Sequence, residues 1–257
     1  MCLDCGCSPN DPHHHQHDHD HHHPPDYGRG KTVTIKEDLL GKNNRLAAAN
    51  RARFAAHRLL VLNLVSSPGS GKTSILERTL SDLQTEVRFA VLEGDQQTAN
   101  DAERIAATGV PVHQINTGAG CHLDAHMVGH GVDHLDLAAC DILMIENVGN
   151  LVCPAGFDLG EDHKVAVLSV TEGEDKPLKY PQMFQAADLL LINKLDLLPH
   201  LRFDLEQCRQ FALRINPRLE IIELSCHSGE GMDRWYEWLR ERVKKTSDWL
   251  LVISSEP

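Results

Sequence analysis

The sequence has no apolar stretch long enough to cross a bilayer. Its strongest run, Leu59 to Val65, falls far short of the ~20 residues that a spanning helix requires. Nor does the N-terminus carry the apolar segment of a secretory signal, so a cytoplasmic protein is expected. Cationic residues are in deficit, with 25 Lys and Arg against 37 Asp and Glu for a formal net charge of -12, and aromatics make up only 5% of the chain. No basic stripe alternates with stacking rings, which excludes the usual means of holding nucleic acid or an anionic membrane. There is also no internal repeat. A cytoplasmic setting keeps thiols reduced, so the 8 cysteines read as ligands, redox thiols or core residues rather than disulfide partners.

Histidine is abundant, and it is concentrated. Of 17 histidines, His13, His14, His15, His17, His19, His21, His22 and His23 fall together, directly after Cys2, Cys5 and Cys7. Neutral imidazoles and thiolates are preferred over water by divalent nickel, copper and zinc, and a solvated segment can wrap them around an ion without a preformed cavity. A purification tag would be an unbroken run, whereas Gln16, Asp18 and Asp20 interrupt this one. Residues 1–28, closed by Pro24-Pro25, therefore read as a Cys/His-rich metal-binding tail without fixed structure when metal-free.

The next segment, residues 29–58, mixes Leu39, Leu40, Leu46, Ala47 to Ala49 and Phe54 with charges and reads as a helical lead-in. From Leu59 apolar runs alternate with helix-length segments: Leu59 to Val65, Val87 to Leu92, Ile142 to Ile145, Val165 to Val170, Leu189 to Ile192 and Leu219 to Leu224. Buried runs so spaced predict an α/β domain over 59–246, a mainly parallel sheet with helices on both faces, followed by a C-terminal tail at 247–257.

The first strand-to-helix turn, Ser66-Ser67-Pro68-Gly69-Ser70-Gly71-Lys72-Thr73, is a phosphate loop in its proper context. Backbone N–H groups of Gly69, Ser70, Gly71 and the following Thr73 and Ser74 can close around phosphates, Lys72 can lie across the β- and γ-phosphates, and the Thr73 hydroxyl can serve Mg²⁺. Ser66 stands where the first glycine of the usual pattern belongs. Base choice is assigned to Asn193-Lys194-Leu195-Asp196 after the strand Leu189 to Ile192: the Asp196 carboxylate can accept from N1–H and the exocyclic amine of guanine, donors that adenine lacks there. GTP and GDP are thus the expected nucleotides. Ser225-Cys226-His227 resembles the loop that closes over the base in GTPases. Asp95 and Glu146 leave strand ends at the same edge, where they can order Mg²⁺ waters or the attacking water, and Gly149 is placed to sense the γ-phosphate. No glutamine follows Gly149 and no arginine is identifiable as a finger, which points to slow hydrolysis by a centre built on Lys72, Asp95 and Glu146.

A second metal constellation lies inside the domain. Cys121, His122 and Cys153 offer two thiolates and an imidazole suited to nickel or zinc, with His126 one helical turn on as a further ligand. Cys140 and Cys208 fit the core, and His130 and His134 a solvated face.

At these residues the chain resembles the hydrogenase-maturation nickel GTPases of HypB type. The resemblance is carried by Leu62 to Thr73, Ser66 included, by Cys121-His122-Leu123-Asp124-Ala125, by Glu146 to Pro154, and by Thr171-Glu172-Gly173-Glu174-Asp175-Lys176-Pro177. It implies a P-loop GTPase fold, GTP hydrolysis, and nickel delivery to the large subunit of [NiFe]-hydrogenase. It also implies a metal-binding accessory partner and a homodimer formed near the internal site. Two alternatives are a urease-type nickel chaperone, whose Cys-Pro-His triplet is absent here because Ala155 follows Cys153-Pro154, and a non-enzymatic nickel store.

Overall fold

The structure, a computed structural model, describes residues 29–95 and 100–253, with side chains at 38–95 and 100–246. The chain divides into units 1–37 and 38–257, and the architecture below, apart from residues 29–37 of the first helix, belongs to the second. The cysteines and histidines assigned to the tail lie outside the described residues.

In chain order the elements are α1 (Arg29–Ala56), β1 (Leu60–Ser66), α2 (Lys72–Leu83), β2 (Phe89–Asp95), α3 (Asn100–Ala106), β3 (Val112–Asn116), α4 (Ala125–Gly131), β4 (Ile142–Glu146), β5 (His163–Ser169), α5 (Lys176–Lys179), α6 (Pro181–Ala186), β6 (Leu189–Asn193), α7 (Leu205–Ile215), β7 (Glu220–Glu223) and α8 (Met232–Ile253). All strands pair in parallel in one seven-stranded sheet, order β3-β2-β4-β1-β5-β6-β7. No described helix is long and apolar enough to cross a membrane.

The layering follows from strand pleating, which sends alternate side chains to opposite faces. On β1, Leu60, Leu62 and Leu64 enter one core with Ile75, Leu76 and Leu80 of α2 and Trp235 and Trp238 of α8. Val61 turns to the other face with Phe54 of α1 and Val128 of α4, and Val65 with Met183 and Phe184 of α6. A strand buried on both faces is a nearly continuous apolar run, which is why five of the six runs read from sequence stand out as strands; the sixth is β7, an edge strand only partly buried. Cys140 and Cys208 are core residues, and burial pushes their thiols up to about 11 and about 12. The one strand without a sequence signature is β3, because Val112 to Asn116 is an edge strand whose side chains are only half-buried or exposed.

Candidate functional site

Parallel pairing brings the carboxyl ends of β1, β2, β4, β5 and β6 to a common edge, where α/β sheets place their ligands. The loop from Ser66 to Gly71 leaves β1 there and feeds directly into α2. At Gly71 the backbone is left-handed (φ 91°), and a Cβ would come within 2.5 Å of Asn193 Nδ2, so both conformation and space require glycine.

Two clefts flank this loop. One, of about 540 Å³, is lined by Ser67 to Ser74, Asp95, Asp101, Arg104, Gly149 and Lys194. Within the loop region Lys72 Nζ and Thr73 Oγ1 converge on the same Glu146 oxygen, at 2.9 and 2.6 Å. Gly149 lies so close to the loop that a Cβ would sit 3.2 Å from Pro68 backbone atoms. The other cleft, of about 650 Å³, is lined by Asn193, Asp196, Ser225, Cys226 and His227. Ser225 Oγ donates to Asp196 Oδ1, and Lys194 Nζ donates to Gly69 O at 2.7 Å. Asn193 ties the two clefts: its Nδ2 donates to Ser70 O at 3.0 Å, and its Oδ1 accepts from Cys226 N at 3.3 Å. Lys72, Thr73, Asp95, Glu146 and Gly149 are therefore brought together at the first cleft, where the phosphates were expected, and Asp196 at the second, where the base was expected.

Two charged residues here were not singled out from sequence. Glu93 stands opposite Glu146 in the β2–β4 register and is 2% exposed. Both carboxylates carry a buried oxygen without a hydrogen bond, Glu93 Oε2 and Glu146 Oε2. Hard, under-bonded carboxylate oxygens beside the Thr73 hydroxyl are donors of the type that Mg²⁺ and its waters take, so this corner fits that ion. The sequence signal for Glu93 was a charge inside an apolar strand, Phe89 to Glu93. Arg104 is the other residue: it donates to Ser74 Oγ at 3.2 Å and is held by Glu77 and by Asp101.

Burial, reinforced by the negative charges of Glu146 and Asp95, pushes the Glu93 carboxyl up to about 8 from an ordinary value of 4.5. A carboxyl raised in the folded state penalises folding progressively as pH climbs through that interval, because the unfolded chain ionises first. Glu93→Gln is therefore expected to stabilise the nucleotide-free protein by on the order of 3 kcal/mol at pH 8 and little at pH 5. Denaturant unfolding at the two pH values checks this, and an equal gain at both would rule out an ionisation origin.

The internal metal candidates also meet. Ligand atoms of Cys121, His122 and Cys153 lie within 4.8 Å of one another, with Cys121 Sγ 3.6 Å from His122 Nδ1. Burial lowers the His122 pKa, which favours the neutral imidazole that metals bind. The His122 ring packs on Phe157 at 4.0 Å between centroids. His126 is not part of this cluster; its ring faces His130 at 4.5 Å, while both His126 and His122 line a pocket beside α1. His130 and His134 are exposed, as expected, and His134 stacks on His113.

The nucleotide-binding domain model of the CobW/HypB/UreG family matches residues 60–223. The hydrogenase maturation factor HypB of Azotobacter vinelandii is 64% identical over 222 residues, covering 86% of this chain and 73% of that protein. HypB of Escherichia coli K12 is 63% identical over 215 residues, 84% of this chain and 74% of that protein. Among solved structures, HypB from Helicobacter pylori in complex with nickel has a TM-score of 0.76 at 41% identity, covering 79% of this chain and 96% of that one. The family model runs from the first residue of β1 to the last of β7, and so takes in every cleft residue described above except Ser225, Cys226 and His227. By both measures the chain belongs to the CobW/HypB/UreG nucleotide-binding family, among the HypB hydrogenase maturation factors.

Proposed function

We propose that this chain is a slow, Mg²⁺-dependent GTPase that stores nickel on its N-terminal tail. Under nucleotide control it passes nickel to the large subunit of [NiFe]-hydrogenase, with a metal-binding accessory protein as partner. One observation carries the reading: the segment from Glu146 to Cys153 begins among the residues that serve phosphate and ends in the thiolate–imidazole cluster. The nickel complex of the Helicobacter pylori relative supports the same cargo here.

In this reading the loop amides and the N-terminus of α2 hold the phosphates, and Lys72 exchanges its Glu146 oxygen for phosphate oxygens. Thr73 would hold Mg²⁺, with Glu146 and Asp95 ordering its waters, and the ion would supply neutralisation of the phosphate charge. Glu146, freed from Lys72, is also placed to orient the attacking water. Asp196 and the Ser225 loop select guanine. Three protein ligands leave one tetrahedral position at the cluster, which His126, a water or a second copy of the chain could fill, so metal or nucleotide would favour a homodimer. Zinc is the competing ion for so soft a site.

Turnover of GTP against ATP tests the catalytic half, and equal rates would defeat it. For the storage half, deleting residues 13–23 is expected to lower the number of nickel ions bound while leaving GTP hydrolysis nearly unchanged. Unaltered stoichiometry would remove the tail from the proposal.

A further inference from the structure

Only Cys153 is continuous in chain with the residues at the phosphate cleft. Cys121 and His122 belong to a different segment, between β3 and α4, and the sequence offers no reason for them to follow a change at Gly149. The structure supplies one in two asparagines that bracket that glycine. Asn150 Nδ2 donates to Cys121 O at 3.3 Å while its Oδ1 accepts from Val152 N at 2.8 Å, so one side chain grips the backbone beside both cysteines. Asn147, buried at 1% exposure, accepts at Oδ1 from Leu123 N, next to His122, at 3.0 Å. Its Nδ2 donates to Asn63 Oδ1 at 3.2 Å on β1.

The far side of the cluster is fastened to the same frame on β1 that Asn147 reaches through Asn63. Asn63 Nδ2 donates to Glu161 Oε1 at 3.0 Å, and Lys164 Nζ lies 3.6 Å from the same carboxylate oxygen. Lys164 Nζ also donates to Pro154 O at 3.1 Å and Phe157 O at 3.0 Å, pinning the turn that follows Cys153. Asn63, Glu161 and Lys164 are all buried, so none of these bonds is readily replaced by water.

We infer that Asn150 and Asn147 are positioning residues through which the nucleotide state sets the Cys121–His122 half of the cluster against Cys153, Asn150 as the moving link and Asn147 as the anchor. A displacement at Gly149 moves Asn150 and, through it, the backbone at Cys121, while Asn147, bonded to Leu64 O and Asn63 of β1, holds Leu123 N to the sheet. Lys164 meanwhile holds the turn after Cys153 on the fixed sheet. The distance between the ligand halves then changes with nucleotide, and affinity changes with it. The inference rests on the nucleotide-controlled metal reading above and specifies the parts that would carry it.

The test uses the full-length chain with Cys2, Cys5 and Cys7 changed to serine, so that nickel–thiolate absorption reports the internal cluster. Nickel is titrated in GDP and in a non-hydrolysable GTP analogue, and the ratio of the two affinities is the coupling. The His tract competes equally in both states and cancels. This background is expected to show a ratio of about fivefold or more. Asn150→Asp keeps the acceptor for Val152 N but loses the donor to Cys121 O, and Asn147→Ser shortens the link to Leu123 N. Each is expected to bring the ratio to within about twofold of one with nickel still bound; the thermal midpoint should be preserved in Asn150→Asp and lowered in Asn147→Ser, whose side chain is buried. An unchanged ratio in both variants would overturn the inference and leave nucleotide control of the metal standing. Loss of nickel in both nucleotide states would also overturn it, by showing a purely structural role. A ratio of one before either substitution would overturn it together with nucleotide control, while GTP turnover would still stand on its own assay.

Discussion

Replacing Asp196 with asparagine is expected to lower GTP affinity by about 100- to 10,000-fold and to create affinity for xanthosine triphosphate. The carboxylate is aimed into the base cleft by Ser225 Oγ, which donates to Oδ1, and by its position just after the left-handed Lys194 at the end of β6. Two hydrogen bonds from guanine to a charged acceptor are worth ~1.5–3 kcal/mol each, which gives the quoted range. An asparagine turns one acceptor into a donor. It then repels the guanine amine and satisfies the C2 oxygen of xanthine. Competition binding with a fluorescent nucleotide measures both effects. Retained GTP preference in the variant would show that base selection resides elsewhere in the cleft.

The second large effect concerns the thiolate cluster. Removing Cys121 or Cys153 takes a directly coordinating ligand from a three-residue set, and should cost at least the ~100-fold that losing an outer supporting contact can cost elsewhere. Cys121→Ala and Cys153→Ala are therefore each expected to lower internal nickel affinity by two or more orders of magnitude and to diminish the nickel–thiolate absorption. Cys140→Ala and Cys208→Ala serve as controls: both thiols lie in the core and are pushed upward by burial, so neither variant should change the metal titration. Full binding by both cluster variants would make Cys121 and Cys153 structural.

Much of this was legible in the sequence, for a physical reason. Central parallel strands are buried on both faces, so Ile142 to Ile145 is apolar throughout and Leu59 to Val65 is apolar but for Asn63, and both announce themselves. Motifs tied to backbone geometry, such as Gly69 to Thr73, have little room to vary. What escaped was whatever lacks local periodicity. Strand β3 is half-exposed, and His113, Gln114 and Asn116 leave it without an apolar run. Glu93 looked like the flank of Asp95 rather than a buried carboxyl facing Glu146, because the register that opposes them is set by residues about 50 positions apart. Lys164 and Glu161 carry no local signal of burial. Their burial depends on Asn63, 98 residues before Glu161, and on the carbonyls of Pro154 and Phe157. Asn147 and Asn150 were quoted as motif letters, but their contacts to Leu123 N and Cys121 O are tertiary facts.

The strand order also governs when the site can exist during synthesis. β1, which launches the phosphate loop, has as its neighbours β4 and β5; Leu62 pairs with Met144 on one side and His163 on the other. At ~5–20 residues per second a ribosome needs several seconds to supply the first partner and longer to supply the second. Through that interval Leu59 to Val65 is an unpaired apolar ribbon, open to wrong pairing and to holding by chaperones. The base cleft must wait longer still, for Ser225 and the loop after β7. The earliest nucleotide motif to leave the ribosome is thus among the last to become competent, and a nascent chain cannot draw stability from GTP until nearly the whole domain has been made.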